Sequence, residues 1–154
     1  MVGERTQIFH LSWWDWPRAI LLLFSRVERE MERENGFAVL EYLYRDAGNW
    51  KTHGAVLLRG KVRDNGVAIR SCLEQGELFV PEQVLLPALH QQHWRDHEDG
   101  PNDLDHAFHE FVGLRDAREQ DLASLSSCGS LVQLVSLFVA AQGRWDVRCS
   151  RYVG

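Results

Sequence analysis

Histidines and carboxylates are concentrated in one stretch of the chain, residues 90–110. Five of the seven histidines lie there, at positions 90, 93, 97, 106 and 109. Residues 74–110 contain nine acidic residues and one basic residue, a net charge of −8. Imidazole and carboxylate groups together are typical ligands of zinc, manganese or iron, provided that two or three of them converge within ~2.0–2.2 Å of one ion. This stretch therefore has the residue types of a metal site.

The spacing of these residues defines the metal hypothesis. His90 and His93 are one turn apart on a predicted helix, so they can share an ion with His106 from a following strand. In this hypothesis Zn or Mn is the cofactor, and Glu110 or Asp105 orients a water molecule, as in a metal-dependent hydrolase or nuclease. No H-E-x-x-H or other named metal motif is present. The alternative interpretation is a polar loop with scattered surface histidines, and the sequence leaves both open.

A second candidate site is the basic stretch 45–63, which alternates with aromatic residues. Residues 37–73 have a net charge of +3, and basic groups beside aromatic rings are how single-stranded nucleic acid or a nucleotide is bound. The residues expected to bind a ligand lie in a hairpin loop: Arg45, Asp46, Asn49, Trp50 and Lys51. An ordinary solvated hairpin with its aromatic rings in the core remains the alternative, because Asp and Asn beside a glycine are also typical turn residues.

The third candidate is Cys128, which precedes a helix that Ser130 is expected to cap. A helix N-terminus lowers the pKa of a thiol and so makes a nucleophilic thiolate available. The alternative is a small residue in a tight turn. The chain has three cysteines and no C-x-x-C spacing, which indicates neither a disulfide framework nor a thiolate zinc site and predicts a reducing, cytoplasmic location.

Several classes of protein lose support from the sequence. A net charge of −5 argues against a uniformly basic nucleic-acid-binding domain. The chain lacks a G-x-x-x-x-G-K-[ST] phosphate loop, a G-x-G-x-x-G after a strand and a G-x-S-x-G elbow. The apolar run at 19–24 is far shorter than the ~20 residues of a spanning helix, so no membrane association is predicted.

A composition of 45% hydrophobic and 25% charged residues is typical of one globular domain. Residues 1–36 are predicted to form an appended N-terminal helix, with Asp15 as its cap and Gly36 as its end, and 37–154 a single compact domain. Met31 is an alternative start of the chain.

The hydrophobic pattern predicts an α+β fold, with a small, mostly antiparallel sheet packed against two or three helices and the N-terminal helix at one edge. Strands at 37–44 and 55–58 form the leading hairpin, joined by a loop at 45–53. Helices are predicted at 64–75, from Pro87, and at 130–142, the last apolar on nearly all sides and therefore buried. Further predictions are short strands at 77–80 and 106–112 and a charged helical turn at 115–120.

Three segments resemble signatures that recur in small uncharacterised bacterial proteins. They are Tyr44-Arg-Asp-Ala-Gly-Asn-Trp-Lys51, Phe79-Val-Pro-Glu-Gln-Val84 with Leu86-Pro87, and Asp105-His-Ala-Phe-His-Glu-Phe111. The resemblance implies a compact bacterial cytoplasmic domain and supplies no activity for it. It points to residues 45–51 and 106–110 as the parts most concerned with function.

The leading functional hypothesis is a binding or regulatory module without catalytic activity. Six tryptophans in 154 residues motivate it, since Trp anchors interfaces. The expected partner is a protein, a second copy of the chain, or nucleic acid bound through the basic hairpin at 45–63. The metal-dependent hydrolase or nuclease is the alternative.

Overall fold

The computed structural model describes residues 36–153. The strands are β1 (Phe37–Arg45), β2 (Lys51–Arg59), β3 (Leu78–Phe79), β4 (His109–Asp116) and β5 (Ser127–Ser130). The α-helices are α1 (Asn65–Cys72), α2 (His90–Asp96), α3 (Glu119–Ser124) and α4 (Leu131–Ala141), with short 3-10 helices at Pro81–Val84 and Val147–Cys149. The predicted α+β class is confirmed, whereas the predicted N-terminal helix lies outside the described residues.

The five strands form one sheet in the order β3-β4-β1-β2-β5. β1 pairs antiparallel with β2 along its whole length, from Phe37 opposite Arg59 to Arg45 opposite Lys51. β4 pairs antiparallel with the other edge of β1, and β3 with the start of β4. Only β5 runs parallel to its neighbour β2. The sheet is therefore mixed, and mostly antiparallel as predicted.

The core lies between one face of the sheet and helices α1 and α4. Alternate residues of β1 point into it, Leu40, Tyr42 and Tyr44 among them, because successive side chains of a strand point to opposite faces. Ile69 of α1 and Phe138 of α4 are fully buried against this face. The predicted packing of two helices on the sheet is thus confirmed.

Helix α4 corrects one prediction about burial. Ser130 caps it as expected, since the hydroxyl accepts from the Gln133 N–H at 3.2 Å. The helix is not buried on all sides, however, because Val132 and Val139 are each 56% exposed. Its composition is apolar all round, but the sheet covers one face only.

Several boundaries differ from those predicted. The hairpin loop has five residues, 46–50, and is shorter than the predicted loop at 45–53. The reason is that β1 continues to Arg45 and β2 already begins at Lys51. β4 begins at His109, three residues later than predicted, and continues to Asp116, where a helical turn was expected. The helix expected from Pro87 begins at His90, and β5 was not predicted.

Candidate functional site

Side chains from β1, from α2 and from residues 106–109 meet around the ring of Tyr44. This side chain has no exposed surface. Four imidazole rings surround it with centroid distances of 4.3–5.4 Å: those of His90, His93, His106 and His109. Tyr44 is the last core-facing residue of β1, α2 supplies two of the histidines, and β4 and the loop before it supply the other two. The predicted metal ligands therefore do come together, but around an aromatic ring.

His109 is held as a neutral imidazole with both nitrogens bonded. Nε2 accepts from the Leu89 N–H at 2.9 Å, and Nδ1 lies 3.3 Å from the carbonyl oxygen of Ala107, to which it must donate. Burial, with a smaller contribution from the nearby His90, lowers the pKa of His109 to about 3. This imidazole is consequently a fixed part of the core.

His90 is also fully buried, but one of its nitrogens has no partner. Nε2 lies 2.8 Å from the His106 carbonyl oxygen and so carries the proton. Burial lowers the pKa of the ring, and Nδ1 has no hydrogen-bond partner among the described residues. Tyr152 stacks on the ring at a centroid distance of 4.8 Å. The C-terminal segment thus covers His90.

The carboxylate of Asp105 orients Tyr44. Oδ1 accepts from the Tyr44 hydroxyl at 2.7 Å, and Oδ2 accepts from Trp94 Nε1 and from the Asn102 N–H, each at 3.0 Å. Burial by itself would raise the pKa of Asp105, but these three hydrogen bonds outweigh it and hold the pKa below its usual value. Burial, with the bond to Asp105, raises the pKa of Tyr44. Asp105 is therefore an ionised positioning group.

A chain of buried hydrogen bonds ties the start of α2 to the end of the hairpin. Asp46 Oδ2 lies 3.3 Å from His93 Nε2, and His93 Nδ1 lies 2.9 Å from Thr52 Oγ1. The three side chains are at most 6% exposed. An aspartate, an imidazole and a hydroxyl in sequence resemble a catalytic triad, but the hydroxyl of Thr52 is shielded from solvent. These hydrogen bonds therefore position the hairpin turn.

The hairpin turn presents an exposed tryptophan on a rigid backbone. Asp46 is the centre of the turn: Oδ1 accepts from the Trp50 N–H at 2.8 Å, and the two backbones pair again through Asp46 N–H and Trp50 C=O at 3.1 Å. The N–H of Ala47 donates to the Leu104 carbonyl at 3.0 Å, which fastens the turn to the neighbouring acidic loop. Trp50 is 62% exposed and Leu104 43%. We call these two side chains with Lys51 the hairpin tip.

A small cavity lies beside this cluster, at the end of β1. It has a volume of about 240 Å³ and is lined by Arg45, Asp46, Leu78, His106, Phe108 and Glu110. Arg45 forms a two-bonded ion pair with Glu110, with Nε to Oε1 at 2.7 Å and Nη2 to Oε2 at 3.0 Å. The cavity thus joins the basic loop and the histidine-rich segment, which were two separate candidates in the sequence. Leu78 and Phe108 were not predicted, because neither carries a chemical signal.

The remaining predicted residues are distributed as follows. Asn49 accepts from Arg45 Nη1 at 2.9 Å, and Lys51 is exposed at the start of β2. The side chain of Asp105 contacts Tyr44 and Trp94, and Asp105 is not among the residues lining the cavity. Among residues 36–153 no group of three or more His, Cys, Asp or Glu side chains is placed to hold a metal ion. The Zn or Mn site stays a prediction.

The interpretation of Cys128 as an activated thiol is wrong. It lies within β5, and burial raises the pKa of its thiol rather than lowering it. The following helix begins three residues later, at Leu131, so its N-terminus is capped by Ser130.

No protein-family model, curated protein or solved structure matches the chain. No helix in residues 36–153 is both long and apolar enough to cross a membrane.

Proposed function

We propose that the chain is a binding module without catalytic activity that engages a protein partner through the hairpin tip. The observation that carries the proposal is the exposure of Trp50 on a turn fixed by Asp46. A large aromatic side chain held rigidly at a surface loses little conformational entropy on binding, which is why Trp is common among residues that dominate binding energy. The module is proposed to be a bacterial cytoplasmic protein, consistent with its three free cysteines.

Charge favours a protein over nucleic acid as the partner. Residues 96–103 contain four acidic residues and no basic one. This loop lies beside the hairpin tip. The ring centroids of His97 and Trp50 are 5.2 Å apart, and the carbonyl of Leu104 accepts a hydrogen bond from the N–H of Ala47. A phosphate backbone approaching Trp50 would meet this negative charge. A protein with an apolar pocket and a basic rim would not be repelled.

The basic residues of the hairpin do not offset the negative charge of residues 96–103, because they lie at the two ends of the hairpin. Lys51 is at the tip, whereas Arg59 is eight residues along β2, ~26 Å away at ~3.3 Å per residue. That distance exceeds the screening length of ~8–10 Å in physiological salt. Arg45, at the same end of the hairpin as Lys51, is already paired with Glu110. The hairpin therefore offers no continuous basic strip for a phosphate backbone.

The experiment compares Trp50→Ala with Val139→Ala, an exposed apolar residue on α4. Both variants should keep the unfolding free energy within ~0.5 kcal/mol of the parent chain, as exposed substitutions do. Proteins retained by the immobilised parent chain are identified, purified and titrated against each variant. We expect Trp50→Ala to weaken binding at least tenfold and Val139→Ala to leave it unchanged; analytical ultracentrifugation tests a second copy as the partner in the same way.

Two results would contradict the proposal. One is a partner whose affinity is equally insensitive to both substitutions. The other is salt-sensitive binding of a labelled single-stranded oligonucleotide that is lost in Trp50→Ala, which would make nucleic acid the partner.

A further inference from the structure

The outer edge of β4 is open over the second half of the strand. β3 pairs with the start of β4 only, and the last backbone bond on that side joins the Phe111 N–H to the Glu77 carbonyl at 2.9 Å. Among residues 36–153, no strand pairs with this edge of β4 beyond Phe111. Residues 112–116 therefore form an edge strand on the side that faces away from β1.

The register of β4 shows which backbone groups lie at the open edge. In an antiparallel pair alternate residues bond to the partner strand, and the residues between them direct their N–H and C=O groups to the other side. The Ala117 N–H donates to the Phe37 carbonyl at 2.8 Å, so Ala117 and, by alternation, Arg115 belong to the set that bonds to β1. The N–H and C=O of Leu114 and the N–H of Asp116 consequently point to the open edge.

A groove lies between β4 and helix α1. It has a volume of about 530 Å³, and its lining includes Gly66, Val67 and Arg70 of α1 and Phe111 and Leu114 of β4. Val67 is 74% exposed, so the groove has an apolar wall that is open to solvent. The side chains of a strand alternate between its two faces. An extended chain laid along the edge of β4 would therefore direct every second side chain toward this groove.

Arg70 gives the groove a fixed positive charge. Its guanidinium carbon lies 4.9 Å from the centre of the Phe111 ring, and Nη2 donates to the Val112 carbonyl at 3.4 Å. A guanidinium has five N–H donors, and four of those of Arg70 have no partner among residues 36–153. Arg63 also lines the groove, and none of the described lining residues is acidic. The group that suits such a site is a carboxylate, which a guanidinium binds through two parallel hydrogen bonds.

We propose that the edge of β4 binds an extended acidic peptide of a partner protein as an additional strand in line with β3. The open N–H and C=O groups pair with the peptide backbone, which is how peptides gain affinity at a sheet edge. The groove receives an apolar side chain beside Val67, and Arg70 binds a carboxylate of the peptide. This site is distinct from the hairpin tip, because Asp116 lies opposite Ala38 near the start of β1, whereas the tip follows the end of β1.

The test uses labelled heptapeptides that differ only in charge or in backbone N–H groups. The first has the sequence Val-Thr-Glu-Thr-Val-Thr-Glu, whose residue types favour a strand and whose one face alternates valine with glutamate. The second replaces both glutamates by lysine. Two further peptides carry N-methyl groups on one or the other set of alternate residues, which removes the donors that face one side.

Each peptide is titrated against the full chain by fluorescence anisotropy, and amide chemical shifts of the ¹⁵N-labelled chain locate the site. The glutamate peptide should bind saturably, at least tenfold more tightly than the lysine peptide, with shifts centred on residues 112–116 and on α1. At least one of the two N-methylated peptides should bind at least tenfold more weakly, because it lacks the N–H groups that pair with β4.

Two pairs of variants test the groove and the edge separately. Arg70→Gln should weaken binding of the glutamate peptide at least fivefold, whereas Arg95→Gln, the same charge change at an exposed residue of α2, should not. Asp116→Pro removes the outward N–H and should weaken binding at least tenfold, because proline cannot donate to an added strand. Asp116→Ala removes the same carboxylate, keeps the N–H and should bind at least as tightly as the parent chain. Trp50→Ala should also leave the affinity unchanged.

Four outcomes would overturn the inference. The glutamate peptide does not bind saturably; the lysine peptide binds as tightly; both N-methylated peptides bind as tightly as the parent peptide, which would mean binding without strand pairing; or sedimentation shows a dimer that dissociates in Asp116→Pro and not in Asp116→Ala, which would make a second copy of the chain the occupant of the edge. Circular dichroism confirms that each variant is folded, and the N-methylated peptides test the same hydrogen bonds on the unaltered chain.

Discussion

The buried neutral imidazole of His109 should make the stability of the protein depend on pH. In the folded chain its pKa is about 3, whereas an unfolded chain gives histidine ~6.5. Between these values the unfolded chain binds the proton more readily, so stability rises with pH. The contribution of His109 is complete above pH ~6.5 and is lost progressively as the pH falls toward 3.

The size of the effect follows from the two pKa values. At pH 5 the unfolded histidine is almost fully protonated and the folded one almost fully neutral. The difference corresponds to about 2 kcal/mol of unfolding free energy lost between pH 7 and pH 5. This is a large share of the ~5–15 kcal/mol that stabilises a typical domain.

Urea unfolding at pH 7 and pH 5, followed by tryptophan fluorescence, measures this loss. His109→Gln removes the titrating group and keeps an amide that donates and accepts. The parent chain should lose about 2 kcal/mol more than His109→Gln over this range, whatever the stability of the variant at pH 7. The other histidines are present in both proteins, so the comparison isolates His109 together with its coupling to His90. Equal losses in the two proteins, or a His109 ring that titrates between pH 5 and 7 by NMR, would refute the reasoning.

Two substitutions test the packing that positions the site. In Gly54→Ala the new methyl group would stand 2.6 Å from Leu89 Cδ2, so we expect a loss of ~1–3 kcal/mol from overpacking in urea unfolding. Gly113→Ala is the control, because no atom lies within 4 Å of the new carbon. A similar loss of stability in both variants would contradict the proposed clash with Leu89. Thr52→Val removes the hydroxyl beside His93 Nδ1 and should cost ~1–3 kcal/mol because a buried nitrogen loses its partner. Ser124→Ala removes an exposed hydroxyl that donates to Gln120 O, and it should cost much less stability. If Thr52→Val proved as stable as this control, the structural role of the hydrogen bonds from Asp46 to Thr52 would be contradicted.

Elements with a local signal could be predicted from the sequence, whereas those that depend on distant partners could not. The Ser130 cap and the apolar run that follows it are local signals, and they predict a helix at 130–142 where the structure has Leu131–Ala141. β5 consists of Ser-Cys-Gly-Ser, which has no strand pattern, and it forms because Leu57 and Arg59 pair with Ser127 and Ser130 about seventy residues away. No local rule could have found it.

The late start of β4 has a similar cause. The alternation at 106–112 fits a strand, and the pattern alone places His106 and Glu110 on the same face. In the structure the N–H of His106 donates to the Tyr44 hydroxyl at 3.1 Å, so this residue is held in the loop. Pairing with β3 then starts at His109. A tertiary hydrogen bond overrides the local pattern here.

The ring nitrogens of the histidine cluster differ in how fully they are hydrogen-bonded within the described residues. Both nitrogens of His109 and both of His93 already have partners. Only two atoms of the cluster are buried without one, Nδ1 of His90 and Nδ1 of His106. The first lies on a ring stacked against Tyr152, while the second belongs to a residue that lines a cavity. Within residues 36–153, three of the four imidazoles around Tyr44 are therefore held by hydrogen bonds of their own rings, whereas the ring of His106 is held by packing against Tyr44.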